Sequence, residues 1–235
     1  MASISVTLPD GSVREIAMGT TALELAGSIG SRLAREALVA EVNGTLTDLT
    51  SPLTTDATVT FHTFDSDEGK EVYRHTTAHM LAQAVQRLRP DAKVTIGPAI
   101  DDGFYYDFVL SEPLSEDDFK ALEKKMKHIV KQGQKFESEE LPADEAFARI
   151  ESEMGEPYKL EYAKELVSKQ GLSSLTFYRN GPFLDMCEGP HVEQTRKLGK
   201  AAFKLRSIAG AYWRGDSDNV MMTRIYAWAY ASRPE

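Results

Sequence analysis

Two α+β domains in tandem, the second built on a mostly antiparallel sheet, are predicted for this 235-residue chain. Three features predict them. Apolar residues alternate at period two in the first 64 residues, interrupted once by a capped helix. A short acidic stretch containing a glycine, residues 65–70, separates that part from the rest. Beyond it, amphipathic helices alternate with short strands closed by tight turns, with no internal repeat.

Residues 1–64 form the first domain. Ile4, Val6 and Leu8 alternate as in a strand; Pro9, Asp10 and Gly11 supply a turn; Val13 and Ile16 mark the returning strand. Thr21 with Glu24 is a capping box, opening a helix with Leu23, Ala26, Ile29 and Leu33 inward. A strand is expected from Leu38 to Val42, a tight turn at Asn43 and Gly44, and a last strand from Val59 to Phe64. This order is that of a β-grasp, ubiquitin-like module. Nothing in it looks catalytic, and His62 reads as structural.

The second domain, residues 71–235, is organised around EVYRHTTAHMLAQAVQRLRPD. His75 and His79 stand one helical turn apart, with about 5–6 Å between Cβ atoms. Ala78, Leu81, Ala82, Val85 and Leu88 occupy an adjoining arc of about 120°. That arc is expected to pack inward, leaving the histidines on its flank beside a cleft, and Pro90 stops the helix. A strand from Lys93 to Gly97 comes next, then an aromatic strand with Phe104, Tyr106 and Phe108 on one face and Tyr105 on the other. Ser115, followed by three acidic residues, caps a helix with the stripe Phe119, Leu122, Met126, Ile129 and Val130, closed by Gly133. His128 falls on its polar side. A strand from Phe136, a helix opened by Pro142 and another over residues 160–170 follow. Two short strands turn at Asn180-Gly181 and deliver the loop of Cys187 and His191 at their end. Strands from Ala202 and from Met221, joined by a polar turn, complete the domain.

Composition narrows the functional classes. Hydrophobic content of 42% and charged content of 27% are those of a globular protein. A net charge of -9 argues against wholesale wrapping of nucleic acid but leaves room for a local basic groove. A single cysteine excludes an intrachain disulfide. The N-terminus has no signal-peptide pattern, and no apolar run approaches the ~20 residues of a membrane span, so a cytoplasmic protein is expected.

The chemistry concentrates in two pairs, His75 with His79 on a helix and Cys187 with His191 on a loop that Gly189 and Pro190 keep from being helical. The fold is expected to bring them together. Three readings then stand open. The four side chains form a zinc set, with imidazole at ~2.0–2.1 Å and thiolate at ~2.3 Å. Cys187 is a nucleophile activated by a histidine. The histidines are neutral, hold a substrate and relay protons to a water without metal.

The stretches HTTAHMLAQAV, IGPAIDDGFYYDF, DMCEGPHV and AGAYWRGDSDNVMMTRIY resemble the editing domain of bacterial threonyl-tRNA synthetases, and the first 64 residues resemble their TGS domain. The two pairs also occur in the editing domains of alanyl-tRNA synthetases; the TGS module and the GFYYDF and AYWRGD context point to threonine. The resemblance implies hydrolysis of the ester that joins serine to the 3′-terminal adenosine of tRNA(Thr), sparing threonyl-tRNA(Thr). It implies His75, Lys159 and Asp185 as catalytic residues and His79, Tyr106, Cys187 and His191 as substrate-binding residues. It further implies a water-mediated reaction without a cofactor, zinc at His75, His79, Cys187 and His191 being the alternative. A non-catalytic RNA- or protein-binding module is the other alternative. The expected partners are the tRNA acceptor end, the serine moiety and the synthetase's remaining catalytic and anticodon-binding domains, with no membrane. The class II core is absent, so either a fragment of the synthetase or a separately made editing half is expected, the fragment being favoured. Arg74, Lys197, Lys200, Lys204, Arg206 and Arg214 are candidate RNA contacts.

Overall fold

The computed structural model describes residues 2–199 and 203–230. The chain divides into two compact units, Met1–Tyr73 with Pro190–Glu193, and Arg74–Gly189 with Gln194–Glu235.

The first unit contains β1 (Ser3–Thr7), β2 (Val13–Ala17), α1 (Ala22–Ile29), α2 (Ser31–Glu36), β3 (Val39–Val42), β4 (Thr45–Thr47) and β5 (Ala57–His62). The strands lie in the order β2-β1-β5-β3-β4, with β1 and β5 parallel. This is the β-grasp arrangement. Val6, Leu25, Leu49 and Val59 fill its core. The Thr21 hydroxyl accepts from the Glu24 N–H at 3.2 Å, and the Glu24 carboxylate accepts from the Thr21 N–H at 2.8 Å, so two orphan helix donors are satisfied. The single helix expected here is two. Gly30 takes an extended conformation and breaks it, and the inward side of α1 is Ala22, Leu25 and Ala26. Leu23 and Ile29 are only partly buried. Asn43 and Gly44, with φ of 51° and 83°, close the β3–β4 hairpin as a primed turn. The last strand ends at His62, whose Nε2 lies 2.9 Å from Glu41 Oε2 and Nδ1 3.2 Å from Ser66 Oγ.

Helix α3 (Asp67–Leu88) begins inside the expected connector, because Asp67 and Glu68 suit the positive end of a helix. Its middle departs from the expected one-sided arc. Thr76, Thr77, Met80, Gln83 and Ala84 are as buried as Ala78, Leu81, Ala82 and Val85. The buried surface of α3 thus wraps around the helix and takes in polar side chains, while Leu88 of the expected arc is only partly buried.

In the second unit follow β6 (Lys93–Val94), β7 (Ala99–Ile100), β8 (Gly103–Val109), α4 (Phe119–Gln132), β9 (Phe136–Pro142), α5 (Ala143–Arg149), α6 (Pro157–Gln170), β10 (Ser174–Asn180), β11 (Phe183–Met186), β12 (Phe203–Tyr212) and β13 (Met221–Ala229). The antiparallel strands form two sheets. One runs β11-β10-β9, and the other β12-β13-β8-β6 with β7 also on β8. On β8, Phe104, Tyr106 and Phe108 are buried as alternation requires. Arg224 bolts β13 to β8 through two hydrogen bonds to Asp107, at 2.7 and 2.8 Å, with its guanidinium 3.9 Å from the Tyr105 ring centre. The α4 stripe is buried as expected, and Gly133 closes the helix with φ of 63°.

Further boundaries in this unit differ from expectation. Strand β6 is only two residues long. The β10–β11 turn is Gly181-Pro182, because Asn180 still pairs with Phe183 in the ladder. Helix α6 starts at Pro157, whose missing N–H costs nothing at a first helical position, and this puts Lys159 in the first turn. Lys200, Ala202 and residues 231–235 lie outside the described residues.

Candidate active site

Four elements of the second unit deliver the site. Helical spacing brings His75 and His79 edge to face, with ring centres 4.9 Å apart and planes at 70°. Strand β11 carries Asp185, and Cys187 follows it, its N–H donating to the Thr176 carbonyl at 3.1 Å. The donor atoms of His75, His79 and Cys187 lie within 4.8 Å of one another. The buried His191 is four residues further along the loop. Its segment, Pro190–Glu193, groups with the first unit, where its N–H donates to Asp48 Oδ1 at 2.8 Å.

Asp185 is the hub. It is 1% exposed. Lys159 Nζ lies 2.8 Å from its Oδ1, the Tyr106 hydroxyl donates to its Oδ2 at 2.9 Å, and His79 Nε2 lies 3.6 Å from that same oxygen. Lys159, itself buried, also donates to the Met186 carbonyl at 3.4 Å. A carboxylate buried among apolar rings is tolerated only when paired in this way. Phe183 walls the cluster, with its ring edge-on to His79 at 5.7 Å.

Electrostatics set the protonation states. Burial pushes His75 down to about 4, against the opposing pull of the Asp185 charge and a hydrogen bond to the Gly97 backbone. Burial, then His75 and then Lys159, hold His79 well below the ordinary histidine value. Both imidazoles are therefore neutral at neutral pH. Burial and then the Asp185 charge raise Tyr106 well above the ordinary phenol value, so it stays a donor.

Several contacts of the site leave little signal in the sequence. Gly97 lies against Tyr106; a Cβ there would meet the Tyr106 ring at 2.1 Å. Only glycine lets the β6–β7 connection pass so close, and its backbone is what His75 bonds. Gly189 has φ of 65°, and a Cβ on it would meet the Tyr178 hydroxyl at 2.1 Å. Glu156, 3% exposed, accepts from Gln86 Nε2 and from the Val94 N–H, both at 3.0 Å. The only trace in sequence is an acid before a proline. Among the basic candidates, Lys204 pairs with Glu123 at 3.0 Å, Arg206 with Asp102 at 3.8 Å, and Arg214 with Glu161 at 3.0 Å and with Glu165. Arg214 sits at φ of 58°, beside the buried Trp213 that packs on Tyr158.

Glu156 makes stability depend on pH. Burial lifts it to about 7 from 4.5, against the pull of the Val94 N–H and Lys93, with Asp185 pushing upward and Lys159 downward. A raised carboxyl contributes stability fully present below pH 4.5 and lost as pH climbs through 7. His75 acts oppositely, its contribution being lost as pH falls from 6.5 through about 4. Glu156→Gln is therefore expected to gain stability relative to wild type, by on the order of 3 kcal/mol between the acid and alkaline ends. Denaturant unfolding across that range checks it; a pH-independent difference would mean a solvated carboxyl.

Residues 4–63 match the TGS domain, and residues 175–226 match the family described as threonyl and alanyl tRNA synthetase second additional domain. This latter stretch is thus of the class of accessory domains carried by aminoacyl-tRNA synthetases. The chain is 49% identical over 99% of its length to a threonine–tRNA ligase of Acetivibrio thermocellus, covering 36% of that protein. It is 51% identical over 97% of its length to one of Maricaulis maris, covering 35%, and 44% identical over its whole length to one of Rhodopseudomonas palustris, again covering 35%. The chain is thus similar to the N-terminal region of threonine–tRNA ligases, and spans about a third of the length of these relatives. No helix among the described residues is long and apolar enough to cross a membrane.

Proposed function

We propose that this chain is the proofreading part of a cytoplasmic threonyl-tRNA synthetase. It hydrolyses seryl-tRNA(Thr) at the 3′-terminal adenosine and spares threonyl-tRNA(Thr). The observation that carries this reading is the buried Lys159–Asp185–Tyr106 set beside two neutral histidines and Cys187, in a chain similar to threonine–tRNA ligases.

Serine lacks one methyl of threonine, and a difference of that size yields only about 10–200-fold selectivity in one pocket. A second, tighter sieve is therefore needed. Tyr106 on β8 and Phe183 on β11 supply rigid walls for it.

Water attacks the ester carbonyl carbon, the bond to the ribose oxygen breaks, and that oxygen takes a proton, leaving serine and a free ribose hydroxyl. Lys159 has three donors; it donates to the Met186 carbonyl while its charge pairs with Asp185. A remaining donor orients the attacking water or steadies the oxyanion. Neutral His75 takes a proton from the reacting water and passes it to the ribose oxygen. Asp185 holds Lys159 and Tyr106, and its remaining lone pairs receive the serine ammonium. His79 and Cys187 complete the second unit's part of the pocket around the terminal nucleoside.

A zinc reading stays testable, because His75, His79 and Cys187 bring nitrogen and sulfur donors within 4.8 Å of one another, with His191 as the fourth candidate. Release of serine from seryl-tRNA(Thr) by the 235-residue chain, before and after exhaustive chelation, tests both readings. Hydrolysis unchanged by chelation is expected. Loss on chelation with recovery on adding zinc would replace the metal-free mechanism, and no hydrolysis under any condition would leave only an RNA- or protein-binding module.

A further inference from the structure

Glu156 is the residue before helix α6, where a side chain ordinarily turns back to cap its own helix. Its carboxylate makes no such bond. It reaches away instead, with Oε1 accepting from Gln86 of α3 and Oε2 from the Val94 N–H of β6. Its carbonyl accepts from the Leu160 N–H at 3.0 Å, so the same residue starts the helical ladder. Each connected element delivers part of the site. Helix α3 carries His75 and His79. Strand β6 pairs with β8, the strand of Tyr106, with Val94 opposite Phe108. Helix α6 carries Lys159 one turn from Glu156.

We infer that Glu156 is a positioning residue for the proposed deacylation, tying the first turn of α6 to α3 and β6 so that the Lys159 ammonium stays on Asp185. Burying a carboxyl at this place is costly, as its rise to about 7 records, and apolar packing would serve the fold with less cost. What a carboxyl supplies and an apolar side chain does not is two directional acceptors, one for each neighbouring element. A one-ångström shift of Lys159 is the kind of error that costs catalysis far more than stability.

This inference rests on the reading of the site as a deacylase, so its test has one arm that does not need activity. A buried ammonium held on a carboxylate exchanges slowly and gives a nitrogen–proton NMR cross peak, assigned by its loss in Lys159→Arg. The peak is expected in wild type and in Glu156→Gln, which keeps an acceptor for Val94 and a hydrogen-bonding amide for Gln86, and is expected to vanish in Glu156→Ala. Persistence of the peak in Glu156→Ala, or its absence from wild type, overturns the positioning role. In the activity arm, Glu156→Ala lowers kcat at least about 10-fold with little change in KM, and Glu156→Gln stays within about 3-fold of wild type. Equal kcat in wild type and Glu156→Ala overturns the inference while leaving the deacylase reading standing. Should Glu156→Ala not fold, Gln86→Met severs the α3 link alone. A weakened ammonium peak in that variant supports the role, and an unaltered one contradicts it.

Discussion

Replacement of Lys159 by alanine is expected to lower the deacylation rate about 100- to 1000-fold, the cost of removing one preorganised donor from a developing oxyanion. The same change is expected to destabilise the chain by about 3–5 kcal/mol, because it strips the cation from a buried carboxylate. Asp185 is only 1% exposed, and its remaining close neighbours, the Tyr106 hydroxyl and His79, are neutral. The two losses separate in the double variant Lys159→Met with Asp185→Leu. Removing both charges and keeping volume restores stability, since apolar pairs replace buried ion pairs at little cost. It restores no activity. Denaturant unfolding and release of serine from seryl-tRNA(Thr) measure the two effects. A stable Lys159→Ala would show a solvated pair; an active double variant would remove both residues from the mechanism.

His75→Ala is expected to cost about 100- to 10,000-fold in rate, the usual worth of a positioned proton carrier. Burial sets the pH dependence in wild type. With His75 pushed down to about 4, its neutral form persists through neutral pH, and the limb it contributes falls only as pH drops toward that value. A limb centred near the ordinary histidine value would show an imidazole open to water. Cys187 is expected to behave differently. It is the chain's single thiol and is partly buried, and in a water-mediated reaction it lines the pocket without bonding to the acyl group. Cys187→Ser therefore slows turnover less than His75→Ala, and mass spectrometry of the quenched enzyme finds no serine adduct in either protein. A seryl thioester on Cys187 would transfer the attack from water to sulfur.

What was legible in the sequence was local or periodic. The four-residue spacing of His75 and His79, the α4 stripe from Phe119 to Val130, the alternation of Phe104, Tyr106 and Phe108, and the Asn43-Gly44 turn all follow from one element's own period or turn chemistry. What was hidden depends on elements distant in the chain. Nothing near Gly97 says that the Tyr106 ring will come within a methyl's reach of it. Nothing near Glu156 says that it will bind Gln86, 70 residues upstream. Lys159 and Asp185 were named only through a family resemblance, because a lysine on a helix and an aspartate on a strand look like surface residues until both are found buried and paired. The break between α1 and α2 shows a limit of periodicity itself. Gly30 interrupts an apolar pattern that continues through Leu33, and the pattern alone runs straight across it.

The most direct test of the central claim compares kcat/KM for seryl-tRNA(Thr) and threonyl-tRNA(Thr), measured side by side with the same chain. A sieve walled by Tyr106 and Phe183 and armed by Lys159 should hydrolyse the seryl ester at least about 10- to 200-fold faster, the range that one excluded methyl group commands. Equal hydrolysis of both esters, or hydrolysis of neither, would contradict it.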